Sequence, residues 1–216
     1  MRQIIDRVEA AVREFHAADT TGHDWWHIKR VRDTALRIAE HLPVDAMLVE
    51  IAALIHDVGD YKLHPDKKTG EQAVRDLLES CSVPPTIALQ AMEIARRISF
   101  KGAGVPDDMP SLEGKIVQDA DRLDALGAIG IARTFAYGGA KGRMLFDPEQ
   151  PLVLDMSEAE YISPDKKSST LHHFDEKLLL LKDRLHTDRA KYMAEELHAF
   201  MVLFLKAFHR QWKGDF

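Results

Sequence analysis

The stretch IAALIHDVGD, residues 51–60, is an apolar run that ends in an adjacent histidine and aspartate. Asp45 is a suitable N-cap residue upstream and Gly59 suits a C-terminal end, so a helix is predicted over about residues 46–58. A helix this apolar is expected at the centre of a folded domain. The stretch therefore predicts a core helix that carries two ionisable residues at its end.

His56 and Asp57 are these two ionisable residues. A His-Asp pair has little weight alone, since a second pair occurs at His23 and Asp24. The apolar surroundings of His56 and Asp57 distinguish them, because an ionised group is costly to bury unless it is paired or bound to a metal. They indicate a metal or ion-pair site; a hydrogen-bonded core histidine beside an aspartate at a helix end is the structural alternative.

Apolar residues recur at helical spacing along most of the chain, and strand-like alternation is nearly absent. A first helix has its apolar face at Ile4, Ile5, Val8, Ala11, Val12 and Phe15. Further helices are predicted at about residues 24–41, 66–80, 85–98, 111–137, 171–186 and 187–212. This pattern predicts an all-α fold of about eight helices in a single globular domain over residues 1–216.

One long loop interrupts the helical pattern at about residues 138–170, where Gly, Pro, Asp, Ser and Lys are frequent. Loops of this length are uncommon in compact domains and are often lids, binding loops or insertions. Two interpretations remain open at this stage. The loop is either a flexible surface insertion or a mobile cover that brings Lys141, Arg143, Lys166 and Lys167 towards an anionic ligand.

Composition excludes several classes of protein. The chain has 216 residues, 45% of them hydrophobic, and a net charge of -6, which gives no global cationic field for nucleic acid. The single cysteine, Cys81, fits a reducing compartment and leaves imidazoles and carboxylates as the available metal ligands. No secretory or membrane-spanning segment is evident. We expect a cytoplasmic protein that does not bind nucleic acid or membranes.

Further candidate ligands lie on two other predicted helices. His27 lies within DWWHIKRV, and Asp119, Asp121 and Asp124 lie within KIVQDADRLDALG. Residues three apart share a helix face, whereas Asp119 points nearly opposite to Asp121. Asp121 is therefore favoured as a ligand over Asp119, and Asp124 is expected to support the ligands or to form a salt bridge.

The order of these residues resembles the H…HD…D pattern of the HD-domain metal-dependent phosphohydrolase superfamily, here at His27, His56, Asp57 and Asp121. The resemblance covers a metal core of at least residues 23–124. GHDWWHIKRV, IHDVGDYK, IVQDADRLDALGAIGIARTF and HHFDEKLLLL further resemble its bacterial nucleotide pyrophosphohydrolase branch. The resemblance implies an HD-type helical fold, these four residues as metal ligands, and hydrolysis of nucleoside triphosphates to monophosphate and pyrophosphate.

The four ligands also predict the metal. Two imidazoles and two carboxylates without a thiolate suit an octahedral site, so manganese is favoured, with magnesium, iron(II), cobalt and nickel as alternatives. Between Asp57 and Asp121 the only histidine is His64, whereas two-metal members of the superfamily insert further histidines there. One divalent ion per chain is therefore expected.

Catalysis is expected to proceed by attack of a metal-bound water on phosphorus. Asp60, four residues after His56, is a candidate base if the helix persists, and a loop aspartate if it does not. His23, four residues before His27, is a candidate to protonate the leaving group or to bind a phosphate; a cap or loop histidine is the alternative. The single carboxylate at Asp60 argues against the alarmone hydrolases of the superfamily, which have Glu-Asp.

Substrate phosphates require cationic or hydrogen-bonding groups near these motifs. The preferred candidates are Lys62, His173, Lys177 and Arg97. Each is also compatible with an ordinary solvated helix face. The histidines in outlying helices without acidic neighbours are expected to be structural or surface residues: His16, His41, His186, His198 and His209.

Two alternatives to a pyrophosphohydrolase remain open. A phosphomonoesterase or 5′-nucleotidase would release inorganic phosphate first, and a non-catalytic HD-like signalling module would keep the fold without turnover. The expected partner is a small phosphate ester, in particular a nucleotide. The apolar final helix either packs internally or forms a dimer face, so both a monomer and a homodimer are compatible with the sequence.

Overall fold

A computed structural model describes residues 1–19, 22–60, 64, 66–154, 156–157, 159–160, 163 and 168–216. These residues form nine α-helices and two short 3-10 turns and contain no strand, which confirms the predicted all-α fold. The chain divides into two compact units, Met1–Phe100 with Asp108–Asp121 and Lys101–Asp107 with Arg122–Phe216. That the whole of residues 1–216 forms one domain stays a prediction.

The first unit is built around its third helix. Its helices are α1 (Arg2–Phe15), α2 (Trp25–Ala39), α3 (Ala46–Ile55), α4 (Lys67–Ser80), α5 (Pro85–Arg97) and α6 (Leu112–Asp124), the last of which continues into the second unit. Helix α3 contacts α1, α2 and α5, and every residue of α3 after Ala46 is buried. The predicted central helix is therefore confirmed.

Three aspartates begin helices of this unit as N-caps. The side chain of Asp24 accepts from the backbone N–H of His27, and that of Asp66 accepts from the N–H of Thr69. Asp45 caps α3 by accepting from two backbone N–H groups. These bonds satisfy N–H groups that have no partner within the helix, so the helix starts follow directly from the sequence.

Helix α3 ends earlier than predicted, at Ile55 instead of about Val58. Beyond Ile55 the backbone N–H groups bond three residues back, from Val58 to Ile55 and from Asp60 to Asp57, so residues 56–59 form tight turns. Such bonds tighten the end of a helix because its last carbonyls lack partners. Asp60 therefore does not follow His56 with α-helical spacing.

The second unit contains α7 (Gly127–Ala140), α8 (His172–Glu176), 3-10 turns at Leu178–Leu180 and Lys182–Arg184, and α9 (Asp188–Trp212). The prediction of one continuous helix over residues 111–137 is wrong: α6 ends at Asp124, Leu126 is extended, and α7 begins at Gly127 with a φ of 64°. The predicted helix over 171–186 is also wrong. Lys177 leaves helical geometry after α8, at φ -142° and ψ -60°.

The predicted long loop is present between α7 and α8. Among its described residues only 159–160 are helical. The cationic groups of Lys141 and Arg143 each lie 5.7 Å from the centre of the Tyr137 ring, so both are held next to α7. Lys166 and Lys167, the other two basic residues of the proposed cover, lie outside the described residues. Within the described part of the chain, no helix has the length and apolar composition that crossing a membrane requires.

Replacement of Gly127 by alanine is expected to destabilise the folded protein. Its φ of 64° is strained for any residue with a Cβ, and that Cβ would lie 2.7 Å from Cδ2 of Leu197. We expect Gly127→Ala to lower the free energy of unfolding by about 1–3 kcal/mol. Gly139→Ala is the control, since nothing lies within 4 Å of its added Cβ. Equal free energies of unfolding for the two variants in urea titrations would contradict this expectation.

Candidate metal centre

Two buried imidazoles form the base of the candidate site. His27 lies on α2 and His56 follows α3; they are 0% and 3% exposed, and their Nε2 atoms are 3.2 Å apart. His56 Nδ1 lies 2.8 Å from the carbonyl oxygen of Ala53. Because a carbonyl only accepts, Nδ1 carries the proton, so Nε2 is the ring nitrogen that can ligate a metal. Metal-ligating histidines typically have this arrangement.

Two carboxylates complete the cluster. Asp57 Oδ2 lies 3.3 Å from Nε2 of His27, and Asp57 Oδ1 lies 3.5 Å from Nε2 of His56. Oδ1 of Asp121, on α6, lies 3.6 Å from Nε2 of His27 and 3.8 Å from Nε2 of His56. The ligand atoms of His27, His56 and Asp57 lie within 4.8 Å of one another. The structure thus brings together the four residues that the sequence places on three separate helices.

The chemistry of this cluster fits a divalent cation. Asp57 Oδ2 is buried and has no hydrogen-bond partner among the described residues. Burial raises the pKa of Asp57, but the charges of His56 and His27 outweigh it, so the pKa lies well below its usual range. The carboxylate is therefore ionised at neutral pH. Oxygen and imidazole ligands without a thiolate suit manganese, magnesium or iron(II).

Two further predicted residues lie in the same unit. The imidazole rings of His23 and His27 meet edge to face with centroids 6.0 Å apart, so His23 stands beside the cluster. Its backbone N–H donates to Oδ1 of Asp19 at 3.1 Å. The backbone N–H of Asp60 donates to the carbonyl of Asp57, which places Asp60 directly after the cluster in the chain.

The remaining predicted residues have other surroundings. Asp119 is completely buried. Asp124 forms a salt bridge with Arg133 at 3.0 Å, the second of the two roles predicted for it. Arg97 pairs with Glu93 and with Asp108, the latter at 2.6 Å, so its guanidinium is already occupied by carboxylates.

Three predicted phosphate contacts are not among the described residues of the first unit, which contains the cluster. His173 and Lys177 belong to the second unit, where His173 lies on α8 and its carbonyl accepts from the backbone N–H of Lys177. Lys62 lies outside the described residues. The roles of all three stay predictions.

Sequence reasoning missed His16, which was placed among histidines without acidic neighbours. His16 is 2% exposed, and its Nε2 has no hydrogen-bond partner within the described chain. Burial lowers the pKa of His16, and the charge of Asp57 opposes the effect of burial in part. A signal was present, because residue 16 continues the buried stripe of α1 through Val8 and Val12, whereas Phe15 is 40% exposed.

An all-α fold that brings together a buried His, a buried His-Asp pair and a further, partly exposed Asp defines a class of metal-binding hydrolases. The HD domain family matches residues 25–126. The chain belongs to this family, as an HD-superfamily hydrolase, and the resemblance seen in its sequence is confirmed.

Relatives of this chain cover nearly all of it. YpgQ of Bacillus subtilis is 39% identical over 210 residues, 97% of this chain and 94% of YpgQ. A crystal structure of YpgQ in complex with ADP covers 96% of this chain and 97% of that chain, with a TM-score of 0.74 and 35% identity. An HD-superfamily hydrolase from Bacillus thuringiensis is 39% identical, with a TM-score of 0.71 and coverage of 97% and 96%. A Lactobacillus plantarum structure reaches a TM-score of 0.90 at 31% identity, covering 100% and 99%.

Proposed function

We propose that the protein is a metal-dependent nucleotide pyrophosphohydrolase that cleaves nucleoside triphosphates to a nucleoside monophosphate and pyrophosphate. The observation that carries the proposal is the cluster of His27, His56, Asp57 and Asp121, in which two Nε2 atoms 3.2 Å apart face two carboxylates. Each of the two imidazole nitrogens lies within 4 Å of both carboxylates, and such a convergence of nitrogen and oxygen ligands suits a divalent cation.

In the proposed site, His27, His56, Asp57 and Asp121 would hold one divalent ion, for which manganese is favoured. Such an ion lowers the pKa of water and polarises a phosphoryl oxygen. The bond of the buried His56 from Nδ1 to Ala53 leaves Nε2 as the nitrogen that can ligate the ion. The His27 imidazole is completely buried, so its position is held by packing.

Proton transfer is assigned to two residues next to the cluster. Asp60 is proposed to accept a proton from the attacking water, because it follows the cluster in a tight turn. His23, whose ring packs edge to face on His27, is proposed to donate a proton to the leaving pyrophosphate. The two roles are assigned to different segments of chain, since His23 precedes α2 and Asp60 follows the turns after α3.

A nucleotide as substrate is supported by the related YpgQ, whose crystal structure contains ADP. Asp57 and Asp121 alone would repel a polyphosphate, and a divalent ion would offset that repulsion. We propose Lys62, His173, Lys177 and Arg97 as additional phosphate contacts. Arg97 would have to exchange its pairs with Glu93 and Asp108 for substrate.

The test of this function is hydrolysis of a panel of ribo- and deoxyribonucleoside triphosphates with manganese. We expect monophosphate and pyrophosphate in equal amounts, and loss of turnover to background when the protein is dialysed against EDTA. Added manganese should restore the activity. Pyrophosphate and inorganic phosphate are measured separately in the same samples.

The products distinguish the alternatives. Inorganic phosphate as the first product, with turnover of monophosphates, would replace the proposal with a phosphomonoesterase or 5′-nucleotidase. Manganese binding without turnover of any phosphate ester would instead support a non-catalytic module. Unchanged turnover after complete removal of metal would refute the metal-dependent reaction.

A further inference from the structure

Helix α9 has an exposed face opposite to the one that it buries. Its buried residues share one side of the helix and are Ala190, Ala194, Met201 and Leu205. On the other side, Tyr192 is 82% exposed and Leu203 is 63% exposed, so two large side chains with apolar surface lie in solvent. The exposed residues that follow one another along the middle of this side form what we call the outer stripe: Tyr192, Glu196, Ala199, Leu203, Lys206 and Arg210.

The spacing of the outer stripe is that of a helix-binding seam. Its successive members are four, three, four, three and four residues apart. This is the alternation of the a and d positions of a heptad repeat, which form the contact line between the helices of a coiled coil. A solvated helix face is the alternative, and there opposite charges commonly pair three or four residues apart.

The charges of the outer stripe are not arranged as on a solvated face. No residue of opposite charge lies three or four positions from Glu196, Lys206 or Arg210. Within the described part of the chain these three side chains form no ion pair, whereas Glu195, beside the stripe, pairs with Lys182 at 2.7 Å. Glu196 and Lys206 are also about 15 Å apart along the helix axis, given a rise of about 1.5 Å per residue. They can therefore pair only with another helix.

The outer stripe is self-complementary about its midpoint at residue 201. Its members form three pairs at equal distances from this midpoint: Ala199 with Leu203, Glu196 with Lys206, and Tyr192 with Arg210. Against an antiparallel copy of α9, these pairs bring a small residue to a large apolar one, a carboxylate to an ammonium, and an aromatic ring to a guanidinium. Each pair occurs twice, because a two-fold axis places the same surface on both partners. A parallel copy would instead place Glu196 against Glu196.

We propose that the outer stripe binds a second copy of this chain, with the two α9 helices antiparallel about a two-fold axis. Met201 and Leu205 are buried within the chain, so the dimer face lies on the opposite side of the helix. The complementary charges set the antiparallel direction, and Leu203 supplies apolar contact near the axis. None of the four ligand residues of the candidate metal centre lies on α9, so the dimer does not depend on the proposed function.

Sedimentation equilibrium of the full chain tests the interface. We expect a monomer–dimer equilibrium in the wild type. Glu196→Lys and Lys206→Glu each place two like-charged pairs across the axis, so each should raise the dimer Kd at least about tenfold. Glu71→Lys is the matched control, because it makes the same change of charge at an exposed position on α4 and should leave Kd within about twofold of the wild type.

Two combinations of these variants test the pairing directly. The double variant with Glu196→Lys and Lys206→Glu exchanges the two charges and restores both pairs, so its Kd should return to within about threefold of the wild type. An equimolar mixture of the two single variants should form a heterodimer, since each partner then supplies the charge that the other lacks. In a parallel dimer neither single variant would weaken association, because it exchanges one like-charged pair for another.

A third substitution tests the apolar part of the outer stripe. Leu203→Gln keeps a good helix former and removes apolar contact twice per dimer, so Kd should rise at least about tenfold. Circular dichroism checks that each variant is as helical as the wild type. A single monomeric species up to about 1 mM, where even weak interfaces associate, overturns the proposal. A dimer whose Kd none of these substitutions changes, or single variants that neither combination restores, also overturns it.

Discussion

Replacing Asp57 with alanine is expected to abolish manganese-dependent nucleotide hydrolysis. Asp57 is the only residue whose carboxylate faces both buried imidazoles with separate oxygens, at 3.3 Å from His27 and 3.5 Å from His56 within the described structure. Its removal eliminates one ligand and one of the two carboxylate charges that attract the cation. We expect kcat/KM to fall by at least about a thousandfold, since a Lewis-acid metal contributes several kcal/mol to transition-state stabilisation.

The measurement is pyrophosphate release under saturating manganese, together with calorimetric titration of manganese into the metal-free protein. Asp57→Asn keeps the shape and removes the charge, so it should bind manganese as poorly as Asp57→Ala. Asp76→Ala is the matched control, because Asp76 is exposed on α4 and pairs with Gln72. Turnover by Asp57→Ala comparable with that of the control would disprove the metal centre.

The same titration decides between the two aspartates that the sequence left as candidates for the fourth ligand. Asp121 brings Oδ1 to 3.6 Å from Nε2 of His27, whereas Asp119 lies completely buried on the same helix. We expect Asp121→Asn to weaken manganese binding by about 10- to 100-fold, in the range seen when groups around a metal are removed. A larger loss of affinity in Asp119→Asn would reverse the assignment.

The largest expected loss of stability comes from Glu50 on the otherwise apolar helix α3. Its carboxylate accepts from Nε of Arg32 at 2.8 Å, and the two side chains are only 9% and 10% exposed. Arg32 also pairs with Glu9 at 3.3 Å. Glu50→Ala leaves the buried guanidinium of Arg32 without its main partner, so we expect the free energy of unfolding to fall by about 3–5 kcal/mol.

Urea titrations followed by circular dichroism measure this loss. Glu195→Ala is the control, because Glu195 is largely exposed in its 2.7 Å pair with Lys182 and should contribute less than about 1 kcal/mol. The double variant Arg32→Met with Glu50→Leu should recover most of the stability, since it removes both buried charges. A loss below about 1 kcal/mol in Glu50→Ala would show that water or Glu9 compensates the guanidinium.

Local chemistry explains which parts of the fold were predictable. Asp45 was recognisable as an N-cap, and the helix starts near Asp24 and Asp66 were predicted, because a capping bond needs only residues within one turn. The breaks at Gly127 and after α8 were not recognisable, since the apolar spacing continues across them. The first break has an extended Leu126 and a left-handed Gly127 where α7 begins, and the second has non-helical backbone angles at Lys177. Neither break interrupts the pattern of side chains.

The amino-acid sequence was sufficient to predict the family, because the family motif depends on residue identity and order. The choice of manganese as the metal stays a prediction from ligand chemistry. Only the tertiary structure showed that Asp121 reaches both histidines and that His16 is buried under the influence of Asp57. Residues 16, 57 and 121 lie on separate elements, and helical spacing relates positions only within one element. Distances of 3–4 Å between such residues depend on how α1, α2, α3 and α6 pack, which is a property of the folded chain.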